Sequence, residues 1–122
     1  MIYLDTNIVM RYLLDDHTEL SAKAKKIIDS DTSLFICDGI CAEIVYVLSK
    51  VYNVEREVIK ETFSEFLDKE NINVSNKEII NKSLELFTEL NIDYIDSLLC
   101  AYNHLKNIKI ETFDNRLKRN LK

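Results

Sequence analysis

The sequence predicts an α/β fold, a three-layer α/β/α sandwich in which helices cover both faces of a mostly parallel sheet. Two observations lead to this prediction. Short apolar segments alternate with longer segments whose apolar residues recur at helical spacing. The chain also has no proline and a single glycine, Gly39, so no linker interrupts the alternation. Strands separated by helices favour a parallel sheet, because right-handed crossovers place the helices on its faces.

Four strands and six helices are predicted in order along the chain. Ser75 and Glu78 have the spacing of a capping box, which places the start of one helix near residue 76. The predicted strands are residues 1–4, 34–37, 72–74 and 108–112. The predicted helices cover residues 8–13, 18–30, 42–52, 54–70, a segment from 76 to about 90, and a segment opened by residues 93–96 that continues through 98–105.

Length and composition indicate one folded domain over residues 1–122. Hydrophobic residues make up 47% of the chain and charged residues 30%, the balance of a globular protein rather than a disordered one. No apolar run approaches the roughly 20 residues that cross a bilayer, and the first 14 residues do not resemble a signal peptide. We therefore expect a cytoplasmic protein with no membrane span, and its three cysteines are expected to be reduced core residues.

The net charge of -5 is distributed unevenly along the chain. Residues 106–122 carry +4 and the remaining residues carry -9. Local charge, rather than total charge, steers a polyanion such as RNA. The basic end is therefore compatible with a phosphate-binding edge, and it is equally an ordinary solvated tail. The candidate RNA-binding residues within it are Arg116, Lys118 and Arg119.

Acidic residues follow or flank the predicted strands at the ends where parallel sheets gather reactive groups. Asp5 follows the first strand, Glu43 starts the helix after the second, Asp96 lies in the first turn of a later helix, and Asp114 follows the fourth strand. Four carboxylates in one place would repel one another, so a cation is expected among them. Oxygen ligands suit Mg²⁺ or Mn²⁺ and disfavour zinc. The four acids are therefore predicted both as metal ligands and as catalytic groups for phosphodiester hydrolysis.

Neighbouring polar residues are candidates for supporting roles. Asn7, Thr112 and Asn115 lie beside the acids and could orient carboxylates or metal-bound waters. Each acid also has an ordinary structural explanation, because Asp and Glu stabilise helix starts and turns. Asp93 in particular is interpreted first as a helix cap and second as a metal ligand.

The chain resembles the PIN-domain ribonucleases, and among them the toxins of VapBC-type toxin-antitoxin pairs. Four segments carry the resemblance in the order and spacing of the family: residues 1–7, the helix with Glu43, residues 93–99 and residues 112–114. The resemblance implies metal-binding catalytic acids at Asp5, Glu43, Asp96 and Asp114, with Asn7 and Thr112 in support. It also implies a mostly parallel α/β/α sandwich, divalent-metal-dependent endoribonuclease activity, dimerisation and a cognate antitoxin.

Two positions depart from the family pattern. Family members continue past the last acid into a fifth strand, whereas this sequence ends at Lys122, so the sheet is predicted to have four to five strands. A glycine common before the fourth strand is replaced by residues 105–107, where Asn107 can adopt the left-handed conformation that ends a helix.

Three functions remain open from the sequence. The first is a metal-dependent endoribonuclease acting on single-stranded or looped RNA, with transfer RNA suggested through the family. The second is a phosphatase with Asp5 as nucleophile, which lacks the expected second acid because position 7 is Asn. The third is a non-catalytic module that binds RNA or protein. The candidates for a dimer or antitoxin contact are Tyr46, Tyr52 and Phe63, although most of these three side chains are expected to pack in the core.

Overall fold

The computed structural model describes residues 1–122 and contains one parallel sheet of three short strands. The strands are β1 (Ile2–Tyr3), β2 (Leu34–Phe35) and β3 (Ile72–Asn73), and they lie in the order β1-β2-β3. Main-chain hydrogen bonds continue past the strands, with the Leu4 amide donating to Phe35 at 2.9 Å and the Ile36 amide to Asn73 at 2.9 Å. The prediction of an α/β fold with a parallel sheet is confirmed.

Seven α-helices and one π-helical turn surround this sheet. They are α1 (Thr6–Leu14), α2 (Thr18–Ile28), α3 (Asp38–Tyr46), the π turn (Val47–Val51), α4 (Arg56–Leu67), α5 (Lys77–Leu90), α6 (Tyr94–Lys106) and α7 (Asn115–Arg119). The helix predicted over residues 42–52 starts earlier, at Asp38, and its last turn is π-helical. The helix predicted over residues 54–70 is shorter at both ends. None of these helices combines the length and the apolar character needed to cross a membrane.

The predicted fourth strand, residues 108–112, is not formed, and there is no fifth strand. No main-chain hydrogen bond joins this segment to β1, whereas Asn103 Nδ2 on α6 donates to the Ile108 carbonyl at 3.0 Å. Lys109 and Glu111 pair with each other at 3.1 Å in solvent, and only Ile110 packs inward. The segment is thus held by α6 rather than by the sheet, and β1 is an edge strand.

The two faces of the sheet are covered unequally. Leu34 and Ile72, which share one face, are buried in the main core. On the other face Tyr3 is 69% exposed and packs against the half-buried Phe35 in a tilted arrangement, with 4.8 Å between the ring centroids. The structure therefore supports the α/β class, with a second face that is less completely covered than in the predicted three-layer sandwich.

The core consists of two apolar clusters. The larger one joins the strands to α1, α3, α4 and α5, with Phe63 fully buried at its centre. The smaller one lies between α5, α6 and α7, and it includes Cys100 and Leu117. A buried hydrogen bond of 2.7 Å between the Ser83 and Tyr94 hydroxyls ties α5 to α6. All three cysteines are free, as predicted.

Side-chain caps account for several helix ends. The Asn76 side chain accepts from the Ile79 amide at 3.1 Å, which confirms a helix start near residue 76. The cap is Asn76, so the residue predicted from the capping-box spacing, Ser75, lies outside the helix. Asn107 ends α6 with a φ of 55°, the left-handed conformation expected at this position.

Candidate active site

Asp96 and Asp114 are the two predicted catalytic acids whose negative charges interact. Asp96 lies in the first turn of α6 and is partly buried. Its pKa is raised above the ordinary value, first by burial and then by the negative charges of Asp114 and Asp93. Asp96 makes no ion pair with any side chain of the protein. The fold thus places a carboxylate next to others of like charge without a basic side chain to neutralise it.

Asp114 caps the short helix α7 and keeps one oxygen free for another role. Its Oδ1 accepts from the Arg116 amide at 2.8 Å and from the Leu117 amide at 3.2 Å. The Thr112 hydroxyl accepts from the Asp114 amide at 3.0 Å, which fixes the turn before the helix. The predicted supporting role of Thr112 is consistent with this contact, although the turn follows an irregular segment rather than a strand. Asn115, the first residue of α7, is exposed.

Asp5 stands at the carboxyl end of β1 and caps α1. Its Oδ1 accepts from the Thr6 amide at 2.8 Å, and its side chain is exposed. The buried Thr6 hydroxyl beside it has no hydrogen-bond partner. Asn7 lies next along α1 and lines a separate groove with Arg11 and Lys23, between α1 and α2. No contact between Asn7 and the acids supports the predicted supporting role.

Glu43 is an exposed residue in the second turn of α3. The early start of α3 means that Glu43 does not begin the helix, so the first-turn explanation for this acid is wrong. Asp38 occupies the first turn instead. Glu43 has no hydrogen bond or ion pair that would explain it structurally.

Sequence reasoning missed Asp38, a further acid at the carboxyl end of β2. Its Oδ2 accepts from the Tyr102 hydroxyl of α6 at 3.0 Å, whereas its Oδ1 is buried with no partner. Burial and this contact raise the pKa of Tyr102 above its ordinary value. The available signal was position, because Asp38 follows the second strand as Asp5 follows the first.

Asp93 occupies the N-cap position of α6, as interpreted from the sequence, but its side chain makes no capping hydrogen bond. The Ser97 hydroxyl and amide donate to its main-chain carbonyl instead. Its carboxylate is therefore available to line a cleft of about 440 Å³ that also contains Asp96. The candidate RNA-binding residues Arg116, Lys118 and Arg119 are exposed on α7 and make no ion pair.

The donor chemistry of these acids fits a hard divalent cation, but the acids do not form a closed ligand set. No group of three or more His, Cys, Asp or Glu side chains is arranged to hold a metal ion. Asp96 and Asp114 are the pair whose charges interact, and carboxylate oxygens are the ligands that Mg²⁺ and Mn²⁺ prefer. Asp5 and Glu43 are not gathered with this pair into one cluster.

Comparisons with known proteins identify the family to which the chain is similar. A family model described as "PIN domain" matches residues 2–121. A protein named "VapC ribonuclease" from Aquifex aeolicus (strain VF5) is 28% identical over 130 residues, which cover 98% of this chain and 91% of the relative. No solved structure matches the chain.

Proposed function

Because the chain belongs to the PIN domain family, we propose that it is a divalent-metal-dependent endoribonuclease with Asp96, Asp114, Asp5 and Glu43 as its catalytic acids. One observation carries the proposal. Asp96 is partly buried beside the charges of Asp114 and Asp93, and none of the three forms an ion pair with a basic side chain. A fold retains such an unfavourable cluster where function requires it. The ribonuclease name of the relative supports the same chemistry.

The roles of the residues follow from their positions. A bound Mg²⁺ or Mn²⁺ would lower the pKa of water and stabilise the charge that develops on the phosphate. Asp96 and Asp114 would hold it, and the Thr112 hydroxyl keeps Asp114 in place through the turn at its amide. Asp5 and Glu43 are exposed and would supply further carboxylate oxygens for the ion. Asn7 and Asn115 stay candidates for orienting groups.

RNA is the proposed substrate because the basic residues that follow Asp114 are free to bind phosphate. Arg116, Lys118 and Arg119 lie on α7, exposed and without ion pairs. Unpaired loops expose backbone and bases to a shallow site more readily than a duplex does. Transfer RNA or other structured RNA with such loops is therefore the proposed target.

A toxin role with an antitoxin partner is proposed from the resemblance to VapBC-type toxins, and the relative named "VapC ribonuclease" is in keeping with it. Among the aromatic candidates for such a contact, Tyr46 is 61% and Tyr52 is 43% exposed, whereas Phe63 is buried in the core. An antitoxin could inhibit by inserting an Arg or Lys beside the acids. A structure of the complex with no basic residue near Asp5 or Asp96 would contradict this mode of inhibition.

Homodimerisation is proposed from the same resemblance, and light scattering after size-exclusion chromatography measures it.

Cleavage of labelled RNA tests the enzymatic proposal. Transfer RNA and an unstructured RNA are incubated with Mg²⁺, Mn²⁺ or EDTA and with wild type, Asp96→Asn or the control Asp31→Asn. Asp31 is an exposed acid without an ion pair, so its replacement removes the same charge outside the site. We expect metal-dependent cleavage by wild type and the control, and none by Asp96→Asn. Wild-type rates in Asp96→Asn would refute the assigned site.

The absence of a closed ligand set favours one competing function, a non-catalytic module that binds RNA or protein. Metal titration separates the two, because a ligand that binds the native state raises its apparent stability. A nuclease of the proposed kind is stabilised by Mg²⁺ or Mn²⁺ through Asp96, whereas a non-catalytic module is not.

A further inference from the structure

A cleft of about 440 Å³ opens beside Asp96, between α3 with its π turn and the starts of α4 and α6. Its basic residues are Lys50 in the π turn and Arg56 at the start of α4, and its acids are Asp93 and Asp96 at the start of α6. Neither basic residue forms an ion pair with any acid of the protein. The proposed catalytic acid and two available cations therefore share one cleft.

Arg56 is held in a fixed orientation by uncharged groups, and the negative charge of Asp93 acts on it without forming an ion pair. Its Nη1 donates to the carbonyls of Phe87 at 2.7 Å and Ile92 at 2.6 Å, and its guanidinium carbon lies 4.0 Å from the centroid of the Phe87 ring. These contacts use one nitrogen and one face of the group. The Nε and Nη2 groups make no hydrogen bond to the protein and are not fully buried. A guanidinium presents such an edge to phosphate oxygens in the geometry of a fork.

Lys50 and Tyr46 extend the cleft on its other side. Lys50 is exposed on the π turn, a helical irregularity that occurs frequently at functional sites. Tyr46, 61% exposed at the end of α3, lines the same cleft and packs in no aromatic pair of the protein. An exposed aromatic ring beside unpaired cations is the combination that binds single-stranded nucleic acid, through base stacking and phosphate contact.

We propose that this cleft binds the RNA strand next to the scissile phosphate, with Arg56 and Lys50 contacting a neighbouring phosphodiester and Tyr46 stacking on a base. The inference rests on the proposed nuclease function, because Asp96 identifies the reacting end of the cleft. The subsite is separate from the basic residues of α7. It binds the strand on the α3 and α4 side of the acids.

Binding of a short, fluorescein-labelled single-stranded oligoribonucleotide tests the subsite. Fluorescence anisotropy in EDTA measures affinity at several salt concentrations, and a gel verifies that the RNA stays intact. We expect Lys50→Gln to weaken binding about fivefold and to reduce the slope of log K against log salt by about 0.7, the value of one phosphate contact on a single strand. Tyr46→Ala is expected to weaken binding about tenfold, and Tyr46→Phe to retain it.

Matched controls lie outside the cleft. Lys26→Gln removes an exposed lysine of α2 that makes no ion pair, and Tyr52→Ala removes an exposed tyrosine that does not line the cleft. Both are expected to bind RNA as wild type does. RNA binding by Arg56→Gln is measured together with a thermal unfolding curve, because loss of the guanidinium also leaves the carbonyls of Phe87 and Ile92 without a donor. Lys50→Gln and Tyr46→Ala keep the test decisive if that variant does not fold.

The outcomes separate the subsite from the proposed function. Weaker binding by Lys50→Gln and Tyr46→Ala supports the subsite even if wild type cleaves no RNA, in which case the nuclease proposal alone fails. Equal affinities for all variants, with cleavage by wild type, overturn the subsite and leave the cleft to a protein partner. No measurable RNA binding by wild type also overturns it.

Discussion

The carboxylate of Asp96 is held in an environment that opposes its ionisation. Burial and the charges of Asp114 and Asp93 raise its pKa, so the folded protein binds this proton more tightly than the unfolded chain does. The protonated Asp96 side chain contributes to the free energy of unfolding. This contribution is fully present below the ordinary carboxyl pKa of about 3.9, and it is lost as the pH rises through the raised pKa of Asp96. The site is therefore maintained at neutral pH against its own charge repulsion.

Asp96→Asn is expected to raise the melting temperature at pH 7, because asparagine buries no charge and has none to repel Asp114. The difference from wild type should shrink as the pH falls and disappear below about pH 3.9, where both side chains are neutral. Thermal unfolding monitored by circular dichroism measures it, with Asp31→Asn as the unchanged control. A lower melting temperature at pH 7 would show that Asp96 stabilises the fold instead.

Asp114 combines a capping role with a proposed catalytic role, and two substitutions separate them. Asparagine caps helices as well as aspartate does, so Asp114→Asn is expected to abolish cleavage without destabilising the protein. Asp114→Ala also removes the acceptor for two amides and should cost about 1 kcal/mol in addition. Cleavage assays and urea denaturation provide the two measurements. Cleavage retained in Asp114→Asn would remove Asp114 from the catalytic set.

At the scale of the elements, α3 and α6 carry Glu43 and Asp96, and a single polar contact joins them. Tyr102 of α6 donates to Asp38 of α3, whose other oxygen is buried without a partner. This pair ties the two helices at the carboxyl end of β2. The relative position of the proposed catalytic acids thus depends on a residue outside the set of acids that the sequence identified.

Tyr102→Phe is expected to destabilise the protein by about 1 to 3 kcal/mol, because it leaves the Asp38 carboxylate without its donor. Asp38→Ala removes the acceptor of the same contact from the other side. In a double-mutant cycle the two substitutions together should cost less than their sum, as residues in direct contact do. Urea denaturation measures all four proteins. Strict additivity would mean that the hydrogen bond contributes nothing to the fold.

At the scale of the whole molecule, a chain of net charge -5 is proposed to bind a polyanion. The basic residues proposed to bind RNA must therefore act locally. They form two groups, one in α7 and one in the cleft with Lys50 and Arg56. Attraction to RNA from such small groups of charges falls steeply with salt.

Replacing Arg116, Lys118 and Arg119 with Gln is expected to weaken RNA binding. The slope of log K against log salt should fall by about 0.7 for each phosphate that the variant no longer binds. The matched control replaces Lys23, Lys25 and Lys26 of α2 and removes the same total charge. Anisotropy titrations at several salt concentrations compare the two. An equal decrease in affinity in both variants would show that RNA binding depends on the net charge of the protein rather than on α7.

The order of the three strands and of helices α1 to α6 could be predicted from the sequence, whereas α7 was not predicted. Helices depend on apolar spacing over one or two turns and on capping residues such as Asn76 and Asn107. Both act between neighbours in the chain, so local sequence patterns reveal the helices. The helix start at Asp38 was missed because an apolar pattern marks the buried face of a helix and not its first polar turn.

Only the tertiary structure decided which segments pair and which charges meet. Residues 108–112 have the composition of a strand, yet their contact with Asn103 of α6 replaces pairing with β1. Arg56 enters the proposed RNA cleft because carbonyls 31 and 36 residues away hold it there. The sequence by itself determined the local elements and the kinds of reactive group. The strand count and the neighbours of Asp96 depend on competition among contacts distant in the chain, which no local pattern records.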